Sequence, residues 1–344
     1  MRIFVTGVDG YIGCVLVPRL VSEGHEVVGL DTGFYRDGWL YSDPAHFPVA
    51  ATTLCKDLRK IDSGDLNGFD AVVHLAELSN DPLGANNPEI THDINHRGSV
   101  RLAEAAKSAG VPRFVYTSSC SVYGLATEDI VSEKSAVNPQ TAYANCKVLV
   151  EKDLGKLADE DFCPVYLRNA TAYGPSPRMR FDIVLNNLVG LACTTGKIAM
   201  TSDGTPWRPL VHVEDICKAI SCALTAPVDA VHDEVFNVGC DEENYRILEI
   251  AEFVRRAYPD CEITFGDSSG DNRSYRVNFE KISKGLPGFR CARRAGEGAL
   301  ELRDCFRRIQ LDAARFGFRA FTRLRQLEYL IETAQIDEAF YWAS

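Results

Sequence analysis

Immediately after the run Ile3-Phe4-Val5-Thr6 the chain reads Gly7-Val8-Asp9-Gly10-Tyr11-Ile12-Gly13, and a stretch with helical periodicity follows. No other feature limits the fold as strongly. Glycines at three-residue spacing let a strand turn sharply into a helix, so that backbone N–H groups at the helix start can approach an anion closely. A strand, a glycine turn and a helix open a βαβ repeat, and the next hundred residues continue it. Apolar, β-branched runs at 26–30, 71–75 and 113–117 alternate with helical patterns at 12–23 and 95–108, followed by a helix over 141–157 and a strand near 164–168. Pro18 falls inside the first helix, where a bend or a packing role is expected. The pattern predicts an α/β chain whose doubly wound parallel sheet is covered on both faces. Asp31 ends the second strand 18 residues past Gly13. A carboxylate there can accept from adenosine ribose hydroxyls and would repel a 2′-phosphate, which favours NAD over NADP. The alternative for Asp31 is a turn cap.

The sequence has 344 residues, enough for a large domain and a smaller one. From Thr171 the periodicity loosens, interrupted by Pro175, Pro177, Pro206 and Pro209. Residues 1–172 are therefore expected to form the dinucleotide-binding domain, with 207–239 returning to it. Residues 173–206 and 240–344 would form an interleaved C-terminal substrate domain. A net charge of −11 argues against nucleic acid or an anionic membrane surface as partner. No apolar run approaches the ~20 residues that span a bilayer. The 12 cysteines include no CxxC pair and no cluster with His at metal-ligand spacing, so no metal is expected. They read as reduced thiols, mostly packed in the core. With Met1 leading directly into the first strand, a cytoplasmic location is expected.

Only Tyr143, among 13 tyrosines, is followed by lysine at the fourth position, Lys147. On a helix that spacing puts both on one face, where the ammonium favours phenolate and prepares the tyrosine to take a proton from a hydroxyl. An exposed surface pair is the alternative. The segment Thr117-Ser118-Ser119-Cys120-Ser121-Val122-Tyr123-Gly124 places hydroxyls at the C-terminal end of a parallel strand, the edge where open α/β sheets bind ligands.

These elements occur in the same order as His74-Leu75-Ala76, Asn95, Tyr173-Gly174-Pro175 and Phe236-Asn237-Val238-Gly239. Together they make the chain resemble, over nearly its whole length, the extended short-chain dehydrogenase/reductase family, in particular its sugar-nucleotide epimerases, dehydratases and reductases. The resemblance implies a Rossmann domain holding NAD, with Gly7, Gly10, Tyr11, Ile12, Gly13, Asp31, Asp57, Leu58, Leu75 and Ala76 at the cofactor. It makes Tyr143 the general acid/base, has Lys147 bond the nicotinamide ribose, and has Ser119 orient the reacting hydroxyl. Ser119 is preferred to Ser118 because the family's catalytic Ser or Thr precedes the Val of Val122-Tyr123-Gly124 by three residues. Arg208, and Arg273 in Gly270-Asp271-Asn272-Arg273, stand where the family places arginines on a substrate diphosphate, for which a planar guanidinium is well shaped. Either arginine could instead make a surface ion pair. Ser121, Thr171 and Asn187 complete the expected substrate contacts.

The departures from the family pattern are specific. Its 4,6-dehydratases carry Asp-Glu where this chain has Cys120-Ser121, so elimination lacks its proton carriers. Members that epimerise C3 and C5 use a cysteine at the place of Ser121, one position from Cys120, which reads first as a packing residue. Glu77 stands where the family has a small residue; it could bond a sugar hydroxyl, act as a second acid/base, or be a salt-bridged loop residue. Thr171 replaces a common Asn. The segment from Tyr173 to Asp182, with Asn186-Asn187, is similar to a subgroup containing a GDP-heptose 4-dehydrogenase. The resemblance thus implies hydride transfer on a nucleotide-diphosphate sugar, C4 epimerisation first and net 4-dehydrogenation or 4-ketoreduction as the rival. A non-enzymatic dinucleotide sensor is disfavoured by the intact Tyr-Lys pair. A homodimer through helices 95–108 and 141–157 is expected.

Overall fold

The computed structural model describes residues 1–42, 52–79, 87–266 and 273–343. In chain order the elements that position the site begin with β1 (Arg2–Thr6), α1 (Gly13–Ser22), β2 (Glu26–Asp31), β3 (Thr52–Cys55), β4 (Ala71–His74), α2 (Ser99–Ser108) and β5 (Arg113–Ser119). Next come β6 (Leu125–Val131), α3 (Ala142–Gly155), β7 (Cys163–Asn169), β8 (Thr171–Tyr173), α4 (Val184–Thr195), β9 (Lys197–Ala199), β10 (Trp207–His212), α5 (Val213–Thr225) and β11 (Glu234–Val238). The last are β12 (Asn244–Arg246), α6 (Ile247–Ala257), β13 (Glu262–Thr264), β14 (Ser274–Val277), α7 (Ala295–Arg308) and α8 (Arg323–Glu332).

Seven strands pair in parallel in the order β11-β7-β5-β4-β1-β2-β3. This is the doubly wound Rossmann-type sheet that the alternating pattern predicts. Strands β4 and β7 are buried at every position because helices cover both faces, which is why they read as apolar up to their C-terminal ends, where His74, Arg168 and Asn169 stand. On one face Val5, Val73, Val115 and Val165 pack with Leu16 of α1 and Ile216 of α5. On the other, Phe4, Val72 and Phe114 meet Leu102 of α2 and Leu154 of α3. Pro18 lies inside α1, which continues past it to Ser22. The helix expected over 95–108 starts only at Ser99, after a π-helical stretch, His92–Gly98. Within that stretch Asn95 bonds both the N–H and the C=O of Leu78. Its side chain thereby ties the wide turn to the loop after β4.

Of the span 207–239, expected to return to the dinucleotide domain, two elements lie with the main sheet. Helix α5 packs against β5 and β7, and β11 adds to the sheet edge beside β7. Strand β10 instead pairs with β8 and, antiparallel, with β12 in a separate three-stranded sheet. Pro206 and Pro209 flank and interrupt this strand, and a proline cannot donate to a ladder, which suits a small peripheral sheet better than a central one. Helices α4, α6 and α7 pack together over the C-terminal edge of the main sheet. Among the described residues, no helix is long and apolar enough to cross a membrane.

Candidate active site

A cleft of about 1120 Å³ runs along the C-terminal edge of the main sheet, between it and the layer built from α4, β10 and β14. Strand order reverses between β1 and β4, so the loops after those two strands diverge and open a crevice. The glycine turn follows β1, and Leu75, Ala76 and Glu77 follow β4. Gly7 has φ +74°, and a Cβ on it would stand 2.9 Å from the Ala76 nitrogen. At Gly13 a Cβ would stand 2.3 Å from the Gly7 carbonyl oxygen. Both positions exclude any side chain, which explains the spacing. Among the described residues, no hydrogen-bond acceptor meets the backbone N–H groups of Tyr11 and Ile12, at the N-terminal end of α1. They are available to a phosphate.

Every residue assigned in the sequence to catalysis, cofactor or substrate lines this one cleft, whereas Cys120, His74 and Asn95 do not. Asp31 accepts from the N–H groups of Asp9 (3.1 Å) and Gly33 (2.7 Å), so it caps its turn and still faces the cleft. Burial pushes its carboxyl upward, against the pull of those two bonds. Asp57 is held by Arg59, 2.7 Å away, at the start of a short 3₁₀ turn with Leu58 beside it. Tyr11 donates its hydroxyl to the Gly174 carbonyl at 2.7 Å, leaving its ring and backbone toward the cleft. His74 is buried between Thr6 Oγ1 and Ser99 Oγ, both at 2.7 Å, and burial draws its pKa down to about 3. It is a neutral brace between β1 and α2.

Tyr143 and Lys147 lie on α3, capped by Thr141, whose side chain accepts from the Ala144 N–H at 3.1 Å. The Lys147 ammonium stands 5.4 Å from the centre of the Tyr143 ring. It donates to the Thr117 carbonyl and pairs with Glu77 at 2.6 Å; the two side chains are 4% and 3% exposed. Tyr116 donates to the same carboxylate at 2.7 Å. Burial opposes the charge on Lys147, but the Glu77 carboxylate, with Tyr143 and Glu151, outweighs it and holds the ammonium above the usual lysine range. Of the three readings of Glu77, the geometry is that of the salt bridge, made to Lys147 itself.

Ser118 donates to Glu151 at 2.5 Å, whereas Ser119 accepts from the Ser121 N–H at 3.1 Å and has no acceptor for its own proton among the described residues. Of Ser118 and Ser119, Ser119 is therefore the one able to donate into the cleft. Cys120 donates to the Arg168 carbonyl at 3.1 Å and is 1% exposed, and burial drives its thiol far above the usual range. It is a packing residue. Arg208 donates to the Trp207 carbonyl at 2.8 Å and to the Arg273 carbonyl, bringing the two expected diphosphate arginines together. Gly270, Asp271 and Asn272 lie outside the described residues. Asn187 donates to the Phe181 carbonyl at 2.8 Å, and Thr171 sits at the head of β8.

Three cleft residues were not marked by the sequence. Asn169, at the end of β7, has a buried Oδ1 with no hydrogen-bond partner among the described residues, as does Ser121 Oγ. Arg180 grips Asp182 (2.9 and 3.0 Å) and the carbonyl of Ser79 (3.1 Å); it lay within a quoted segment whose spacing says nothing of a partner a hundred residues away. Arg323, at the start of α8, belongs to no motif.

A family model described as the NAD dependent epimerase/dehydratase family matches residues 3–239. A UDP-glucose 4-epimerase of Mycolicibacterium smegmatis is 33% identical over 255 residues, 71% of this chain and 78% of that one. The solved structure of MoeE5 in complex with UDP-glucose and NAD is 26% identical, with a TM-score of 0.75 over 90% of this chain and all of that one. The NAD-dependent NDP-hexosamine 5,6-dehydratase TunA, at 22% identity and a TM-score of 0.79 over 89% of this chain and 98% of its own, shares the fold. The match to the family over most of the chain and the 4-epimerase at one-third identity agree with the Tyr143-Lys147 pair, the glycine turn and the serine at the end of β5: this chain belongs to the NAD dependent epimerase/dehydratase family.

Proposed function

We propose that this protein is an NAD-dependent enzyme acting on a nucleotide-diphosphate sugar, and that its reaction is epimerisation at C4. The observation that carries the reading is one cleft holding both the glycine turn and the proton carrier Tyr143, whose ring centre is 5.4 Å from a buried ammonium. The residues present fit a dinucleotide: Gly7 and Gly13 leave room for it, the N–H groups of Tyr11 and Ile12 face its phosphates, and Asp31 faces its adenosine ribose. NAD, when bound, supplies the hydride acceptor. Tyr143 takes the proton of the C4 hydroxyl, and Lys147 favours the phenolate that does so. Lys147 has three N–H donors; Glu77 and Thr117 engage two, leaving one for the nicotinamide ribose. Ser119 donates to the sugar oxygen, and Arg208 with Arg273 holds the diphosphate. Ser121, Thr171 and Asn187 line the sugar side.

The identity of the relatives supports C4, and so does the absence of a second uncommitted proton carrier at Cys120 or Glu77 among the described residues. Elimination or C3/C5 epimerisation would require one beside the sugar, and Cys120 is buried in packing while Glu77 is committed to Lys147. The test is turnover of UDP-glucose, then of other nucleotide sugars, in heavy water. The expected result is inversion at C4, no deuterium at C3 or C5, and no net consumption of added nicotinamide. Stoichiometric release of free NADH would establish the dehydrogenase instead, and deuterium at C3 or C5 would overturn the single-carbon mechanism.

We further infer a division into a dinucleotide domain (1–172, with 213–239) and a substrate domain (173–212, which includes β10, and 240–344), and a cytoplasmic location. We also infer a homodimer that pairs α2 and α3 with their copies. Val148 and Leu149 on α3 are only half-buried, although Val150 and Leu154 fill the core side of the same helix. Sedimentation at micromolar concentration should give twice the chain mass; a monomer would reject the assembly.

A further inference from the structure

Beyond the residues matched by the family model, the chain ends in a segment that crosses back over the dinucleotide end of the cleft. Helix α8 and the residues after it contribute Leu327, Leu330, Ile336 and Phe340 to a small apolar cluster. The other half of the cluster, Phe34, Leu78, Ile90 and Ile94, comes from the loops after β2 and β4 and from the turn before α2. Polar anchors fix the segment along its length. Gln326 donates to the Phe34 carbonyl at 2.9 Å, Trp342 to the Thr32 carbonyl at 2.7 Å, and Arg59 to the Ala339 carbonyl at 2.8 Å, with its guanidinium 3.8 Å from the centre of the Tyr341 ring.

The charged side chain of this segment that lines the cleft has no ion pair among the described residues. Arg323 is 4% exposed and lines the cleft, with its guanidinium 4.0 Å from the centre of the Tyr35 ring. Among the described residues it has no ion-pair partner. The carboxylate beside it, Asp182, is held bidentately by Arg180, and Arg178 adds further positive charge while donating to the carbonyls of Tyr35 and Arg36. Asp31 is occupied by the N–H groups of Asp9 and Gly33. Burial, together with repulsion from Arg180 and Arg178, pulls the Arg323 pKa below its usual value. Arg323 and the residues whose backbone N–H groups are open at the start of α1, Tyr11 and Ile12, line the same cleft. A buried guanidinium with no ion-pair partner, on a cleft that also presents open helix N–H groups, is costly unless a ligand supplies the anion.

We propose that residues 319–342 are a built-in strap over the cofactor, and that Arg323 donates from it to the phosphates of the bound dinucleotide, opposite the N-terminus of α1. The inference rests on the NAD reading above and deepens it. An enzyme that regenerates its NAD in every turnover gains from not releasing it, whereas a net dehydrogenase must exchange it.

The test compares wild type and Arg323→Met, which keeps an unbranched apolar stem beside Tyr35, by calorimetry with NAD, ADP-ribose and adenosine. The expected result is a loss of about tenfold to a hundredfold for NAD and ADP-ribose, the range for one charge-assisted contact, with adenosine unchanged. Unchanged NAD binding in the variant, or an equal loss for adenosine, overturns the proposal alone; a wild type that binds no dinucleotide overturns the cofactor reading with it. A second measurement needs no substitution. In the wild-type protein, NAD should slow hydrogen exchange of the amides in 323–332, and unchanged exchange with NAD bound overturns the strap.

Discussion

Tyr143→Phe should lower turnover of the nucleotide sugar by about 10²-fold or more while the protein folds and binds NAD as before. The substitution removes one oxygen and leaves the ring beside Lys147, so the packing of α3 is retained. Phenylalanine cannot accept the hydroxyl proton as hydride leaves the same carbon. The other candidates are engaged: Cys120 is buried against the Arg168 carbonyl and Glu77 is paired with Lys147. Ser119, with a pKa far above that of a tyrosine paired with an ammonium, cannot stand in as base. Steady-state turnover together with calorimetric NAD binding checks the result. A variant with near wild-type turnover would remove Tyr143 from its role, whereas loss of NAD binding in parallel would show a structural effect.

Glu77→Ala should be the most destabilising single change in the site, by about 3–5 kcal/mol, because it leaves a buried ammonium without its counter-ion. Both partners are almost fully enclosed, so solvent does not screen the loss. Glu77→Gln, which keeps the volume and an acceptor for Tyr116, should recover part of the stability. Urea denaturation of the three proteins measures the difference. The pH dependence has a definite sign. Glu77 raises the Lys147 pKa in the folded state, so the stabilisation is full below the ordinary lysine value of 10.5 and disappears as pH rises through the folded value. The gap between wild type and Glu77→Ala should therefore be wide at neutral pH and close in strong alkali. A constant gap would mean that the ion pair is not its origin.

Local pattern was enough to identify the sheet, the glycine turn, Asp31 at the strand end and the Tyr143-Lys147 pair. Each of these is set by backbone geometry within a few residues: φ at Gly7, the steric limit at Gly13, the four-residue repeat of a helix, the alternation of buried strands. The order of the motifs added Ser119 and the two arginines. Reading a small residue's place as open to Glu77 in three ways was as far as spacing could go, because its partner lies 70 residues on, across the gap between β4 and α3. The same limit hid Arg323. Nothing in its neighbourhood distinguishes it from the surface arginines of a C-terminal helix, and only the path of the chain back over Phe34 and Tyr35 buries it against the cleft. Strand β10 likewise carries an ordinary strand signal, and its pairing with β8 and β12 is visible only in the tertiary structure. Sequence by itself determined which local conformations and reactive groups this chain has; the tertiary structure alone decided which distant charges meet, because burial and Coulomb energy depend on separation in space and not on separation along the chain.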